Sequence, residues 1–317
     1  MYFPVVTGIR GLFSRSKGKY VKAVDSISFD IEDGKVLGLI GESGCGKTTT
    51  GRILVGLEKP TSGDVLIDGE SSQVLRKRDQ KSFYRRIQLI FQDPYESINP
   101  KYRVSKVISR PLEYQGFHDK KSIRRKTIDA LERVELRPPG DFLTEYPHQL
   151  SGGQRQRLCI ARAIVLNPRF IVADEPISML DVSIKAGILR LLKNLSRQIN
   201  LSMLYITHDL ATVGYICDEI AIMYLGKIIE FGPTDAVLDR CLHPYTKALI
   251  SAIPIPDLNV KREEIRILGG IPDAVNLPQG CRFFPRCPIS IQKCSETEPD
   301  LRMKEGKHSV ACHQVFV

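Results

Sequence analysis

The chain has 317 residues and a formal net charge of +10, with 42% hydrophobic and 26% charged residues. That composition belongs to a globular protein with a sizeable core and excludes collagen-like and low-complexity chains. No apolar run approaches the roughly 20 residues that span a bilayer, and the N-terminus lacks the pattern of a signal peptide, so work at a membrane would be done by docking.

The basic balance suits anionic partners: a nucleotide, acidic headgroups or nucleic acid. Clusters such as Arg76-Lys77-Arg78 and Arg124-Arg125-Lys126 read first as solvated helix faces. In chain order, residues 1–22 carry little pattern. Ala23 to Ile31 alternates, with Ile27, Phe29 and Ile31 on one side, and predicts a strand. Val36 to Ile40 is an apolar run fit for a buried strand. Gly41-Glu42-Ser43-Gly44-Cys45-Gly46-Lys47-Thr48 follows, then Thr49 to Leu57 with apolar residues at helical spacing. Asp64 to Gly69 reads as a short strand into a turn, and Ile87 to Phe91 as a strand ending at Gln92. Residues 105–150 are mostly helical in pattern, punctuated by Pro111, Pro138-Pro139 and Pro147. Gly152 to Leu166 predicts a helix, Phe170 to Ala173 a buried strand closed by Asp174-Glu175-Pro176, and Ile184 to Ile199 another helix. Ser202 to Ile206, Glu219 to Met223 and Lys227 to Phe231 complete the strands. Alternation of strands and helices implies an α/β fold with a mostly parallel sheet covered on both faces. Composition changes near Pro254-Ile255-Pro256, which divides the chain into 1–253 and a C-terminal piece, 254–317.

The segment 41–48 matches GxxxxGK[ST] between a strand and a helix, the context that gives the pattern its meaning. Glycines let the backbone wrap a phosphate chain, and the following helix aims its positive end at the same phosphates. Lys47 supplies a point charge for the terminal phosphates, and the Thr48 hydroxyl can ligate Mg²⁺. Four more polar residues end strands, where open α/β sheets bind ligands. Asp174 can hold Mg²⁺ opposite Thr48. Glu175 can orient and deprotonate an attacking water. His208 can contact the same phosphate, and Gln92 can reach the metal or the water. Each alone has a plain alternative as a cap or surface residue; their joint occurrence after a P-loop shifts the weight. Leu150-Ser151-Gly152-Gly153-Gln154-Arg155-Gln156-Arg157 is a helix start capped by Ser151, with two glycines exposing backbone N–H groups: a second anion site.

The order GESGCGKT, Gln92, LSGGQRQR, FIVADE, SMLD (178–181) and His208 resembles the ATP-binding cassette ATPases over residues from about 20 to 250. The resemblance implies a P-loop nucleotide-binding domain with a mostly parallel sheet core, an antiparallel β subdomain and a helical subdomain at about 93–160. It implies that Gly41, Ser43, Gly44, Cys45, Gly46, Lys47, Thr48 and Thr49 bind ATP. Asp174 and Gln92 would hold Mg²⁺ with Thr48, Glu175 would be the catalytic base, and His208 the switch histidine. In that family two cassettes pair head to tail, so Ser151, Gly152, Gly153 and Gln154 would close on a partner's nucleotide. An aromatic residue ahead of the first strand usually stacks on adenine; Tyr20 is the candidate and Phe13 the alternative. Ile177 and Met179 depart from the smaller or polar residues common after Walker B.

A finer resemblance is to the ATPase subunits of dipeptide and oligopeptide importers. It rests on Phe91-Gln92-Asp93-Pro94, Ser97-Ile98-Asn99-Pro100, His243-Pro244-Tyr245-Thr246-Lys247-Ala248-Leu249 and the tail. It implies a subunit on the cytoplasmic face of the membrane, with a second cassette, two membrane permeases and, indirectly, an extracytoplasmic peptide-binding protein. Residues 93–150 would be the docking face for the permease. Nickel importers share the subgroup. A soluble cassette ATPase acting on nucleic acid or ribosomes is the alternative, favoured only by the charge; a redox or metal-sensing module could be no more than an accessory role.

Four of the eight cysteines fall in the last 37 residues with the spacing C-x5-C-x6-C-x17-C: Cys281, Cys287, Cys294 and Cys312. Without a secretion signal, disulfides are disfavoured. The intervals are wider than the two to four residues typical of zinc pairs and suit a [4Fe–4S] cluster better. Some members of the resembled group hold such a cluster in their C-terminal extension. Zn²⁺ is the alternative.

Overall fold

The computed structural model describes residues 1–4, 20–253, 265, 267–270, 272 and 274–316. Its strands, in chain order, are β1 (Tyr2–Pro4), β2 (Tyr20–Lys22), β3 (Val36–Ile40), β4 (Leu66–Ile67), β5 (Glu70–Ser71), β6 (Ile87–Ile90), β7 (Phe170–Asp174), β8 (Ser202–Thr207), β9 (Glu219–Tyr224), β10 (Lys227–Pro233), β11 (Arg302–Glu305) and β12 (His308–Val310). Eight of them form one sheet in the order β11-β12-β10-β9-β3-β8-β7-β6. The run β9-β3-β8-β7-β6 is parallel, and β10, β12 and β11 continue it antiparallel.

The apolar runs explain the parallel centre. β3 and β8 are buried at every position, because helices cover both faces and no side needs to meet water. One face packs on the helices Val104–Tyr114, Lys120–Arg133, Gly152–Ile164 and Val182–Gln198. In the last of these, Ile188, Leu189, Leu191, Leu192 and Leu195 form the buried stripe. The other face buries Leu37, Leu39, Val172, Leu204 and Ile206. A third cluster joins Ile220, Ile222, Tyr224 and Ile229 to Tyr245 and to Phe283 of the C-terminal piece.

Two expectations are corrected. Ala23 to Ile31 is not assigned as a strand; the ladder there is β1 on β2. The alternation survives as burial, since Ile27, Phe29 and Ile31 pack against the core from an extended segment. Pro111 does not interrupt its helix but sits inside Val104–Tyr114. The basic stretch after Ser71 forms two helices, Ser72–Arg78 and Gln80–Arg86, capped by the side chains of Ser71 and Asp79.

The C-terminal piece enters the main sheet. β12 pairs with β10 at Glu230↔Val310 and Phe231↔Ser309. Beneath this pairing Glu230 is fully buried. Its carboxylate accepts from the N–H groups of Leu242 (2.7 Å) and His243 (3.0 Å) and meets His308 Nε2 at 2.8 Å. The parallel strands β3, β6, β7 and β8 all end at the same edge, which brings Gly41, Gln92, Asp174 and His208 together.

Candidate active site

The P-loop begins where β3 stops. Gly44 has φ 80°, with open space where a side chain would stand, and Gly46 has φ 112°. A Cβ at Gly46 would lie 2.0 Å from the Ala23 carbonyl oxygen, so only glycine fits this turn. The helix Lys47–Leu54 starts immediately after and points its positive end back at the loop. Thr50 Oγ1 donates to the Gly46 carbonyl at 3.0 Å. Lys47 Nζ donates to the carbonyls of Gly41 (2.7 Å) and Glu42 (3.0 Å), so the loop's own oxygens hold the ammonium at its mouth.

Thr48 and Asp174 meet as expected: the Thr48 hydroxyl donates to Asp174 Oδ1 at 3.2 Å. Burial pushes the Asp174 carboxyl above its ordinary range, with Thr48 and Lys47 pulling the other way. A buried acid beside a hydroxyl at the lip of a phosphate cradle is a donor set for a hard divalent cation. Thr48 and Asp174 therefore fit Mg²⁺, and the open loop fits a polyphosphate.

Glu175 lies on the next residue, with φ 44°. Its N–H donates to the Ile206 carbonyl at 2.9 Å, and its own carbonyl accepts from the Ser178 hydroxyl at 3.0 Å, which locks this backbone turn. The carboxylate is held at both oxygens. Gln92 Nε2 donates to Oε2 at 3.1 Å, and His208 Nδ1 stands 3.1 Å from Oε1. Three strand ends thus converge on one carboxylate beside the cradle.

Ser151 caps the helix Gly152–Ile164 and forms a reciprocal capping box with Gln154. Gln154 N–H donates to Ser151 Oγ at 3.3 Å, and Ser151 N–H donates to Gln154 Oε1 at 2.9 Å. Gly153 is required by packing, since a Cβ there would meet Ile184 Cγ2 at 2.7 Å. Among the described residues, no hydrogen bond links Ser151–Gln154 to this chain's own P-loop. Ile177 is buried, whereas Met179 is exposed. Tyr20 is half exposed on β2; Phe13 lies outside the described residues.

The expected metal cluster finds no support in the arrangement of the thiols. Burial pushes the Cys281 thiol up to about 12, and Cys294, Cys312 and Cys287 add to the rise by charge repulsion. Cys281 N–H donates to the Cys294 carbonyl at 2.8 Å, so the thiols share one neighbourhood. Yet among the described residues no three Cys, His, Asp or Glu side chains are placed to share a metal ion. As arranged, these residues do not fit a [4Fe–4S] cluster or Zn²⁺. Loop paths, which spacing does not specify, hold the thiols gathered but not closed.

Sequence reasoning missed the contacts behind the P-loop. Glu42 N–H donates to Tyr245 Oη at 3.0 Å, and the Glu42 carboxylate receives Arg286 at 2.7 and 3.1 Å. Arg282 bonds the Asp25 carboxylate and the Leu225 carbonyl. The charged i, i+4 pair between Cys281 and Cys287 was its only trace in the sequence.

Residues 24–178 match the ABC transporter family, and residues 229–294 match the oligopeptide/dipeptide transporter C-terminal region. The chain is 47% identical over 311 residues to a putative oligopeptide transport ATP-binding protein, YkfD, of Bacillus subtilis (strain 168), covering 97% of this chain and 94% of that one. It is 43% identical to the oligopeptide transport ATP-binding protein AppF of the same organism, covering 98% and 94%. It is 45% identical to a putative peptide import ATP-binding protein of Brucella ovis, covering 96% of each. Among solved structures, the dimeric post-hydrolysis ATP-binding cassette MJ0796 bound to ADP and Pi superposes with a TM-score of 0.62 at 28% identity, covering 74% of this chain and 96% of that one. The cassette cbiO1 from Clostridium perfringens gives 0.63 at 27% identity, covering 72% and 88%. Family match, relatives and cassette fold agree with the geometry at the sheet edge: the chain belongs to the ABC transporter family of ATPases, among the ATP-binding proteins that carry the oligopeptide/dipeptide transporter C-terminal region.

Proposed function

We propose that the chain is the ATP-hydrolysing subunit of a peptide importer, paired head to tail with a second cassette and docked on two membrane permease subunits at the cytoplasmic face of the membrane. A peptide-binding protein on the other side would deliver the solute. The observation that carries the catalytic part is the Glu175 carboxylate, held between Gln92 and His208 beside the Thr48–Asp174 pair. Residues Gly41, Ser43, Gly44, Cys45, Gly46 and Thr49 wrap the phosphates with backbone N–H groups. Lys47 leaves the loop carbonyls for the terminal phosphates. Thr48, Asp174 and Gln92 would hold Mg²⁺, which would supply charge neutralisation on the phosphate oxygens. Glu175 takes the proton of the attacking water, and Gln92 and His208 keep its two oxygens aimed. Ser151, Gly152, Gly153 and Gln154 serve the partner's nucleotide. This is supported by the reciprocal capping box, which spends Ser151 and Gln154 on shaping the helix start and leaves its end facing outward.

The peptide solute is supported by the names of the relatives and by the matched C-terminal region. The permease is assigned to a groove of about 580 Å³ lined by Tyr84, Gln88, Tyr102, Arg110, Tyr114 and Arg162. It lies between β6, which ends two residues before Gln92, and the helix Val104–Tyr114, so a load there is one element away from Gln92. The reading uses no iron–sulphur chemistry. It is tested by reconstituting the chain with its permease pair and binding protein in liposomes. Peptide uptake that requires ATP, with turnover stimulated by peptide-loaded binding protein, is the expected result. Turnover indifferent to the permeases would refute the transport reading, and nickel uptake in place of peptide would move the substrate.

A further inference from the structure

Among the described residues, Arg286 joins the C-terminal piece to the Glu42 carboxylate of the P-loop. Arg286 lies in the turn Phe284–Arg286, and its side chain is nearly buried. Its NH1 and NH2 donate to the Glu42 carboxylate at 2.7 and 3.1 Å, a two-pronged pair. NH1 also reaches Tyr224 Oη at 3.3 Å, and among the described residues Nε is buried without a partner, so there the hydrogen bonds of this guanidinium go to Glu42 and Tyr224. Phe283, three residues earlier, fixes the turn. It is buried against Tyr224, Tyr245 and His243, with ring centroids 5.3 to 5.6 Å apart. Four residues before Arg286, Arg282 bonds Leu225 and Asp25, and the neighbouring Gly226 N–H donates to the Cys45 carbonyl at 2.8 Å.

Glu42 is an awkward residue for its place. It is the second residue of a loop built to receive an anion, and its backbone oxygen already holds Lys47. An uncovered carboxylate there would repel a polyphosphate and compete for Lys47. Its partner comes from 244 residues away, out of the piece that lies beyond the cassette motifs.

We propose that Arg286 is a positioning residue of the nucleotide site: it masks the Glu42 carboxylate and so lets the P-loop accept the phosphates of ATP. The C-terminal piece is thereby part of the ATP site, and a change in its Cys281–Cys287 turn alters nucleotide affinity. This rests on the P-loop reading above.

The test uses the full chain with Mg²⁺ and a methylanthraniloyl-labelled ATP. Arg286→Ala should weaken binding by roughly 5- to 50-fold, the usual range of a coupling between sites. It should raise KM while kcat at saturation changes little, since the chemistry is untouched. Adding Glu42→Gln to Arg286→Ala should restore most of the affinity, because no charge is left to mask. A merely structural Arg286 would not be rescued by removing its partner. The proposal is overturned if Arg286→Ala binds within about twofold of the parent, or if the double variant binds as weakly as the single. Should Arg286→Ala fail to fold, Glu42→Gln alone decides: it should bind at least as tightly as the parent, and weaker binding overturns the masking. Lys47→Ala separates the two readings. If it keeps the parent's affinity, the P-loop reading falls and the proposal with it. If it loses affinity while Arg286→Ala does not, only the masking falls.

Discussion

Glu175→Gln isolates the charge at the centre of the site. Glutamine has the same shape, and both contacts can be kept. Its carbonyl oxygen accepts from Gln92 Nε2, and its amide donates to His208 Nδ1, replacing two interactions of 3.1 Å each. The backbone turn is held by Ile206 and Ser178 through main-chain atoms, so it survives the change. What is lost is the oxygen that takes a proton from water. General-base catalysis contributes roughly 10²–10⁴ in rate, so the barrier should rise by about 3–5 kcal/mol at about 1.4 kcal/mol per decade. Affinity for Mg-ATP should hold, because Lys47, Thr48 and Asp174 are unchanged. Phosphate release measured beside calorimetric nucleotide binding reads both quantities on one preparation. Turnover within about fivefold of the parent, with affinity intact, would remove Glu175 from the base role.

Acid should uncover the anchor at Asp25. Burial alone would raise its carboxyl, but hydrogen bonds from Tyr2 and Arg282 outweigh this and hold it at about 2, below the ordinary 3.8. A carboxyl depressed by folding adds stability above its unfolded value, here about 2 kcal/mol, and loses it as pH falls from about 4 towards 2. Urea unfolding at pH 6 and pH 2.5 should show that loss, and Asp25→Asn should flatten it. Iron analysis tests the thiols: with no three of them placed around a metal, anaerobically purified chain should hold less than about one iron and lack absorption near 400 nm. Four irons per chain would show that the tail closes on a cluster.

The ATP site was legible because its parts are local. A P-loop is eight consecutive residues, and Gln92, Asp174, Glu175 and His208 stand at or within two residues of the end of an apolar strand that periodicity can find. A parallel sheet then brings strand ends together without further instruction. Where sequence reading failed, the signal was tertiary. Ile27, Phe29 and Ile31 alternate as a strand does, yet no ladder claims them. Pro111 reads as a stop, but its helix tolerates it among the buried Val107, Ile108 and Leu112. The three-residue strand His308–Val310 is too short to show a period, so its place beside β10 could not be read. The roles of Arg282 and Arg286 could not be read locally because their partners lie 257 and 244 residues away.

Those long-range pairs decide whether the chain can be cut at Pro254. The composition change invites it, and a cassette of residues 1–253 would keep every motif of the ATP site. The buried charges argue otherwise. Without the tail, Asp25 loses Arg282, its buried ion-pair partner, and the fully buried Glu230 loses His308. Edge strand β10 loses β12, and Tyr224 and Tyr245 lose Phe283. Removing one partner of the buried Asp25–Arg282 pair costs about 3–5 kcal/mol, which rivals the lower end of the roughly 5–15 kcal/mol by which a domain is stable. Glu230 keeps two backbone donors, so the lost His308 contact adds less than the lost ion pair. The truncated chain should therefore be insoluble, or melt far below the parent, while retaining the whole P-loop sequence. Differential scanning calorimetry of the two chains with Mg-ATP decides it. A 1–253 fragment that melts within about 5 °C of the parent would mean that water and relaxed side chains replace what Arg282 and His308 supply, and that the tail is an appendage after all.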